Sequence, residues 1–531
     1  MITITDMELS FGGAPLFKDV NLKFTPENCY GVIGANGAGK STFLKVLSGD
    51  LEPSKGSVDI PANERLSVLR QDHFAFDEFT VMDTVIMGNK RLYEIMKEKE
   101  ALYAKPDFNE EDGIKAAELE SEFAEMNGWD AELDAAKLLN GLGIPENVHY
   151  ELMRDQNGSV KVKVMLAQAL FGTPDILLLD EPTNHMDPES IEWLQEFIIN
   201  YPGTVIVVSH DRHFLNTVCT YTVDIDYGKI NMWPGNYDFW YESSQLMLQQ
   251  MKQENKKKEK RIEELKEFIR RFGAKKSLAK QATSRKKMLD KIQIEHLPVS
   301  NRKYPYINFK FERELGRDIL EVNNLKYNFE GKQLLDGISF RLNKDDKVVV
   351  LGDNENAVSA LLDIIAGEIT EFEGNVKWGT TVQKGSLPKD TASFFENDLN
   401  ITEWLAQFSK ERDVTYLRGF LGRMLFSGDD NLKKVKVLSG GEKVRCMFSR
   451  LMVMGSNVLI MDQPTNHLDL ESITALNEGL VDFKGVLVFS SHDHELIQSV
   501  ANRVLEIKDG KLIDRMCTYE EYIENKKFSH N

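Results

Sequence analysis

The chain has 531 residues, 42% hydrophobic and 28% charged, with a formal net charge of −19. That length fits about three domains, and the acidic balance argues against a protein that coats nucleic acid over its whole surface. No uninterrupted apolar run is long enough to span a bilayer. The chain opens on the strand-like run Ile2-Thr-Ile-Thr, so no signal peptide is expected. Cys29, Cys219, Cys446 and Cys517 are far apart in sequence and form no metal-type pair. They read as reduced thiols of a cytoplasmic protein.

The first informative segment is the apolar run Tyr30-Gly-Val-Ile, followed by Gly34-Ala-Asn36-Gly37-Ala-Gly39-Lys40-Ser41 and a helical run from Thr42. A strand, a glycine-rich loop and a helix in that order make a phosphate cradle. Glycines let backbone N–H groups converge on phosphate oxygens, and the helix N-terminus adds a favourable dipole. Lys40 then neutralises the β- and γ-phosphates of a nucleoside triphosphate, and Ser41 ligates Mg²⁺. Next comes a charged stretch, about 88–135, with Leu92, Ile95 and Met96, then Leu119, Phe123 and Met126, at helical spacing. "KPDFNEEDG" separates the two sets. The reading is a helical arm, with a longer helical subdomain lacking a partner as the alternative.

Ile176-Leu-Leu-Leu-Asp180-Glu181 reads as a buried strand ending in two carboxylates. Asp180 is placed for the Mg²⁺ shell and Glu181 to polarise an attacking water. His210 ends the next strand-like run, Thr204–Ser209, where it can meet a γ-phosphate. Two long helices are expected from about Asn236 to Ser300, with Gly273 near the turn. Residues 252–291 carry 16 Lys/Arg against 6 Asp/Glu, a basic segment in an acidic protein.

The remainder repeats the beginning. "ILLLDEPTNHMDPESI" from Ile176 recurs as "VLIMDQPTNHLDLESI" from Val458, and His210 recurs as His492, both at an offset of 282. Gly34 pairs with Gly352 and Gln71 with Lys389 at an offset of 318, so the first copy holds 36 extra residues. Leu438-Ser439-Gly440-Gly441-Glu442-Lys443 lies in the second copy, where a helix N-terminus makes another anion site.

Phosphate loop, Gln71, "LSGGEK", "LLLDEPTNH" and "SHD", in this combination, resemble ABC-type ATPases. Two such modules, a charged helical hairpin between them and an arm in the first resemble the ABC-F family over essentially the whole chain. Runs such as "RQDHFAF", "QATSRKK" and "LGRMLFSG" place it near a bacterial branch. The implied fold is α/β, with tandem P-loop ATPase domains at 1–235 and 304–531 and a basic helical linker at 236–303. In this family two modules pair head to tail within one chain, and each ATP lies between one phosphate loop and the other LSGG segment. By that resemblance the first site takes Phe11 against adenine, the loop with Lys40, Ser41 and Thr42, and Gln71, Asp180, Glu181 and His210. Ser41, Gln71 and Asp180 would hold Mg²⁺, and Ser439, Gly440, Gly441 and Glu442 would come from the second module. For Phe11 a core position is the alternative.

The second site departs at five elements. Val358 stands for Lys40, Asp353 and Glu355 for Ala35 and Gly37, Lys389 for Gln71, Gln463 for Glu181, and Gln156-Asn-Gly-Ser-Val160 for an LSGG segment. Loss of a charge-assisted contact worth about 1.5–3 kcal/mol and of a general base worth about 10²–10⁴ in rate should abolish turnover there. Phe329, Ser359, Asp462 and His492 retain their counterparts' identities, which leaves nucleotide binding open. The resemblance further implies a translation factor at the ribosomal E site. Its basic linker, with Lys275, Lys276, Lys280, Arg285, Lys286 and Lys287, would meet rRNA, P-site tRNA and the peptidyl transferase centre. Antibiotic resistance by ribosome protection is the alternative, with no membrane or transmembrane partner in either case.

Overall fold

The computed structural model describes all residues except 13–14, 36, 70–73, 185, 227, 273–283, 285–287, 289–301, 330, 353, 467 and 530–531. The chain divides into two compact units. One holds Met1–Ser209 and Phe214–Asn301, and the other His210–His213 and Arg302–Asn531.

In the first unit the strands are β1 (Ile2–Ser10), β2 (Pro15–Phe24), β3 (Asn28–Ile33), β4 (Lys55–Asp59), β5 (Leu66–Val68), β6 (Ile176–Asp180), β7 (Thr204–Val208), β8 (Tyr221–Asp226) and β9 (Lys229–Pro234). A six-stranded sheet has the order β5-β6-β7-β3-β8-β9. Its first five strands run parallel and β9 returns antiparallel. β3, β6 and β7 are almost continuously buried, as a parallel sheet covered on both faces requires. A three-stranded antiparallel sheet, β2-β1-β4, closes over it. β1 instead alternates buried and open residues, because one face is solvated. The core between them gathers Phe17, Phe24, Tyr30, Phe43, Leu178 and Ile206.

The inserted segment forms helices Lys90–Tyr103 and Glu110–Glu125. Asn109 caps the second in a reciprocal box with Asp112. Arg91 is bidentate to Glu122 at 2.6 and 2.5 Å, and Lys105 meets Asp112 at 2.6 Å. These pairs lie at opposite ends of the two helices, so the helices run antiparallel. After β9 a helix runs 36 residues, Tyr237–Phe272, on the order of 50 Å. Lys256, Lys257, Lys260, Lys266 and Arg270 are exposed on it. The second linker helix expected from the sequence, Gly273 at its turn and the basic cluster from Lys275 to Lys287 lie outside the described residues.

The second unit repeats the topology. Its strands are β10 (Leu320–Phe329), β11 (Lys332–Leu342), β12 (Lys347–Gly352), β13 (Glu373–Trp378), β14 (Lys384–Leu387), β15 (Val458–Asp462), β16 (Val486–Ser490), β17 (Arg503–Lys508) and β18 (Lys511–Arg515). The sheets are β14-β15-β16-β12-β17-β18 and β11-β10-β13. The copies solve two packing problems differently. In the second, the segment after the linker lies on the helix Leu470–Val481. Ile307 sits so close to Gly479 that a Cβ there would meet its carbonyl oxygen at 2.8 Å, and Phe309 and Phe311 pack edge-on against Phe483. The matching positions of the first copy are Trp193, Phe197 and Tyr201. Their rings run along the helix Pro188–Ile199 and beyond it at centroid spacings of 5.3 and 5.6 Å. Bulky rings there take the place of a covering strap.

The other difference is Arg503 on β17. It is 5% exposed. It donates to both oxygens of Asp514 on β18 at 2.9 and 2.6 Å, to Asp346 at 2.7 Å and to the Arg341 carbonyl at 2.9 Å. The first copy has Tyr221 at this position, stacked on Tyr30 at 5.2 Å. Breaking this cluster is costly because removing Arg503 strands the buried carboxylate of Asp346, while Asp514 is exposed enough to be solvated. Arg503→Met is expected to destabilise the second unit by about 3–5 kcal/mol in urea unfolding. A change under about 1 kcal/mol would mean the cluster behaves as a surface pair.

Candidate nucleotide half-sites

In the first copy β3 runs into the loop and the helix Lys40–Leu47 follows. Gly37 and Gly39 have φ of 80° and 101°, a left-handed backbone that glycine adopts without strain. A Cβ on Gly39 would also strike Leu16 at 2.7 Å. These two residues keep the loop out of the helix until Lys40. The Lys40 amine is buried and donates to the Gly34 carbonyl at 2.8 Å, across the mouth of the loop. Ser41 and Thr42 occupy the first turn of the helix. Phe11, between β1 and β2, is 64% exposed, which removes the core alternative and leaves its ring face open to a base. Asn36 and Gln71 lie outside the described residues.

Asp180 is the last residue of β6, and Glu181 follows with φ 52°. A non-glycine residue there costs on the order of 1 kcal/mol. The turn is held by the Glu181 N–H on the Val208 carbonyl at 2.8 Å, which ties the carboxylate pair to the end of β7. His210 follows Ser209 at the end of β7 and groups with the second compact unit.

In the second copy the same backbone frame holds different chemistry. Gln463 has the same turn, φ 50°, with its N–H on the Ser490 carbonyl at 3.2 Å. The helix, however, spans Glu355–Ala366 and starts three residues earlier than its counterpart, counted through the offset of 318. The positions of Gly37, Ala38 and Gly39 have become a helical turn. Asn354 caps it. The Asn356 N–H goes to the Asn354 side chain at 3.0 Å, and those of Ala357 and Val358 to its carbonyl at 3.0 and 3.3 Å. Val358 has turned inward into the apolar core of the module.

The charged positions pair among themselves. Glu355 accepts from Lys389 at 2.6 Å and meets His492 at 3.1 Å. The His492 contact, then that of Lys389, holds the Glu355 carboxyl down to about 2 despite partial burial. Asp462 accepts from Ser359 at 2.6 Å and from Ser490 at 2.5 Å. Ser490 stands where the first copy has Val208, a change that sequence reasoning passed over because it falls inside an apolar strand run. The serine–aspartate contact also shows that the phosphate-loop hydroxyl and the strand-end carboxylate converge in this fold. Ser41 and Asp180 hold the same two positions in the first copy, a hard oxygen donor set that fits Mg²⁺.

Ser439 caps the helix Gly440–Met454 in a reciprocal box with Glu442. Burial alone would raise the Glu442 carboxyl. Hydrogen bonds from Ser439 and Lys433 outweigh it and hold it below the usual carboxylate range. In the first copy Asn157 caps the helix Gly158–Leu170, and Val160 stands where the box needs an acid. Both helices therefore keep their caps, and only the second keeps the LSGG serine and glutamate.

The ABC transporter family model matches the chain twice, over residues 17–184 and 335–466, and another model of the same description matches 223–309. The chain is 57% identical to a Bacillus subtilis protein described as the uncharacterized ABC transporter ATP-binding protein YkpA, over 99% of this chain and 98% of that one. It is 46% identical to the probable ATP-binding protein YbiT of Escherichia coli O157:H7, over 99% of each. It is 30% identical to ABC transporter F family member 5 of Arabidopsis thaliana, over 98% of this chain and 77% of that one. Among solved structures, an RNase-L inhibitor superposes with a TM-score of 0.63 at 16% identity, covering 99% of this chain and 92% of that one, a likeness of fold. No helix among the described residues is long and apolar enough to cross a membrane. With two matched modules, one complete phosphate loop and relatives alike over nearly their whole length, the chain belongs to the ABC ATPases, in the duplicated ABC-F branch, and is an ATP hydrolase.

Proposed function

We propose that the chain is a ribosome-associated translation factor that hydrolyses ATP at one composite site. The observation that carries the single-site reading is the contrast between the two phosphate loops. The first is held open by Gly37 and Gly39 with Lys40 at its mouth, and the second is wound into helix with Val358 in the core. In this reading the first loop binds the triphosphate and Phe11 stacks on adenine. Ser439, Gly440, Gly441 and Glu442 of the second module complete the site. Ser41, Asp180 and Gln71 would hold Mg²⁺, which supplies charge neutralisation at the β- and γ-phosphates. Glu181 orients and deprotonates the attacking water, and His210 steadies the γ-phosphate.

The ribosome reading rests on ABC-F membership and on the basic segment 252–291 in a chain of charge −19. Lys256, Lys257, Lys260, Lys266 and Arg270 are presented to solvent along one long helix, as contact with nucleic-acid phosphates requires. Binding at the E site, with the linker tip towards P-site tRNA and the peptidyl transferase centre, is the proposed mode. The cytoplasm is the proposed location.

Glu181→Gln is expected to lower ATP turnover by about 10²–10⁴. Hydrolysis at the parent rate would remove the first site from catalysis. Adding Gln463→Glu to that variant is expected to restore no turnover, since the second loop presents no phosphate cradle. Glu181→Gln protein is expected to co-sediment with ribosomes in ATP and to be released by added salt. Replacing Lys256, Lys257 and Lys260 by Glu should weaken that binding and flatten its salt dependence. Sedimentation unaffected by either would sink the linker's role. Drug susceptibility on expression separates a housekeeping factor from a ribosome protection protein.

A further inference from the structure

The replaced positions of the second half-site make sense together. Glu355 stands where the first copy has Gly37 and Lys389 where it has Gln71, while His492 keeps the place of His210. On the roles proposed for Gln71 and His210, those last two positions would lie beside the metal and the terminal phosphate. Here they flank a carboxylate of the chain itself, with Lys389 at 2.6 Å on one oxygen and His492 at 3.1 Å on the other. Below it, Asp462 is held by Ser359 and Ser490 at 2.6 and 2.5 Å, using the oxygens that would face a magnesium ion. The three N–H groups that would line a phosphate cradle end on Asn354. Each of these groups, with which the half-site would greet a triphosphate, already has a partner in the same module.

We propose that Glu355 is a tethered surrogate for the terminal phosphate. Its carboxylate occupies the anion position of the second half-site, ties the Lys389 and His492 elements together without nucleotide, and limits the chain to one bound ATP. The physical case is one of effective concentration. An anion carried on the helix that follows the loop meets Lys389 and His492 at no translational cost, whereas a free phosphate must displace it. The lysine at position 389 follows from the same logic. A glutamine positions a metal-bound nucleotide, but an isolated carboxylate needs a cation. Half-exposure of all three side chains limits what each contact adds to stability, so occupancy of the position is the consequence that matters.

This inference rests on the single-site reading but fails separately from it. Persistent hydrolysis in Glu181→Gln with one nucleotide bound per chain would sink that reading and leave the proposal standing, whereas a second bound nucleotide would sink the proposal itself. The test has two parts, both on the full chain. Equilibrium dialysis of the Glu181→Gln protein with labelled ATP is expected to give one nucleotide per chain, and two per chain overturns the proposal. Thermal melts with inorganic tripolyphosphate are then run on Lys40→Ala, which silences the first loop, and on Lys40→Ala with Glu355→Ala. The first is expected to show no tripolyphosphate response. The double variant should melt lower and recover by several degrees, saturably, as the added anion replaces the missing carboxylate. Equal behaviour of the two variants, or a response already in Lys40→Ala, overturns it. If Glu355→Ala does not fold, Glu355→Gln keeps the shape and removes the charge, and the same comparison decides.

Discussion

The fate of the N–H groups between strand and helix governs each module. A helix start leaves several donors without intrahelical partners, and something must take them. In the first copy two left-handed glycines delay the helix to Lys40, so the loop residues Gly37 to Gly39 stay out of the helix and the Ala38 N–H turns back onto the Ala35 carbonyl. In the second, Asn354 takes the donors and the helix begins at Glu355. The strands, sheet order and aspartate turns around the two loops are the same. The difference in chemistry comes from a few residues that decide where one helix begins. Val358 follows from that decision. Once the turn is helical its side chain points into the core, where a lysine would be buried without a phosphate to pair with.

The duplication was legible in the sequence because it is written in linear motifs with fixed offsets. Asp180-Glu181 and Asp462-Gln463 sit at strand ends as their apolar runs predict, and Gly37 and Gly39 take the backbone that only the loop reading requires. Coupling between distant positions was not legible. In sequence Glu355 and Lys389 read as two separate departures, yet they form one cluster with His492. Ser490 was hidden because a serine in a buried strand carries no periodic signal, and its role exists only through Asp462. Cys29 and Cys219, 190 positions apart, lie with sulfurs 3.9 Å from each other on neighbouring strand and helix-end positions. Burial raises the Cys219 thiol well above its ordinary value, which fits an inert buried pair. Sequence separation hides each of these, since register across a parallel sheet depends on crossovers whose length is not written locally.

Packing shows the same limit. Trp193, Phe197 and Tyr201 of the first copy correspond to Ala475, Gly479 and Phe483 of the second, and in sequence these are three unrelated substitutions. They become one exchange once Ile307, Phe309 and Phe311 are placed on the helix of the second copy. The segment around Ile307, Phe309 and Phe311 packs on the helix Leu470–Val481 of the second copy. In the first copy Trp193, Phe197 and Tyr201 lie along the matching surface.

The unit of change is therefore a set of groups that touch, and this applies to the LSGG segments as well. A serine, a glutamate and a helix N-terminus act together in the second copy, where Ser439 and Glu442 cap one another and leave the N-terminal dipole facing outward. In the first copy Asn157 keeps the cap, so the helix Gly158–Leu170 still starts where it must, while the glutamate position has become Val160. Folding needs only the cap, whereas the proposed phosphate recognition would use the whole group. A segment that retains the first and loses the second has been released from binding without being released from structure.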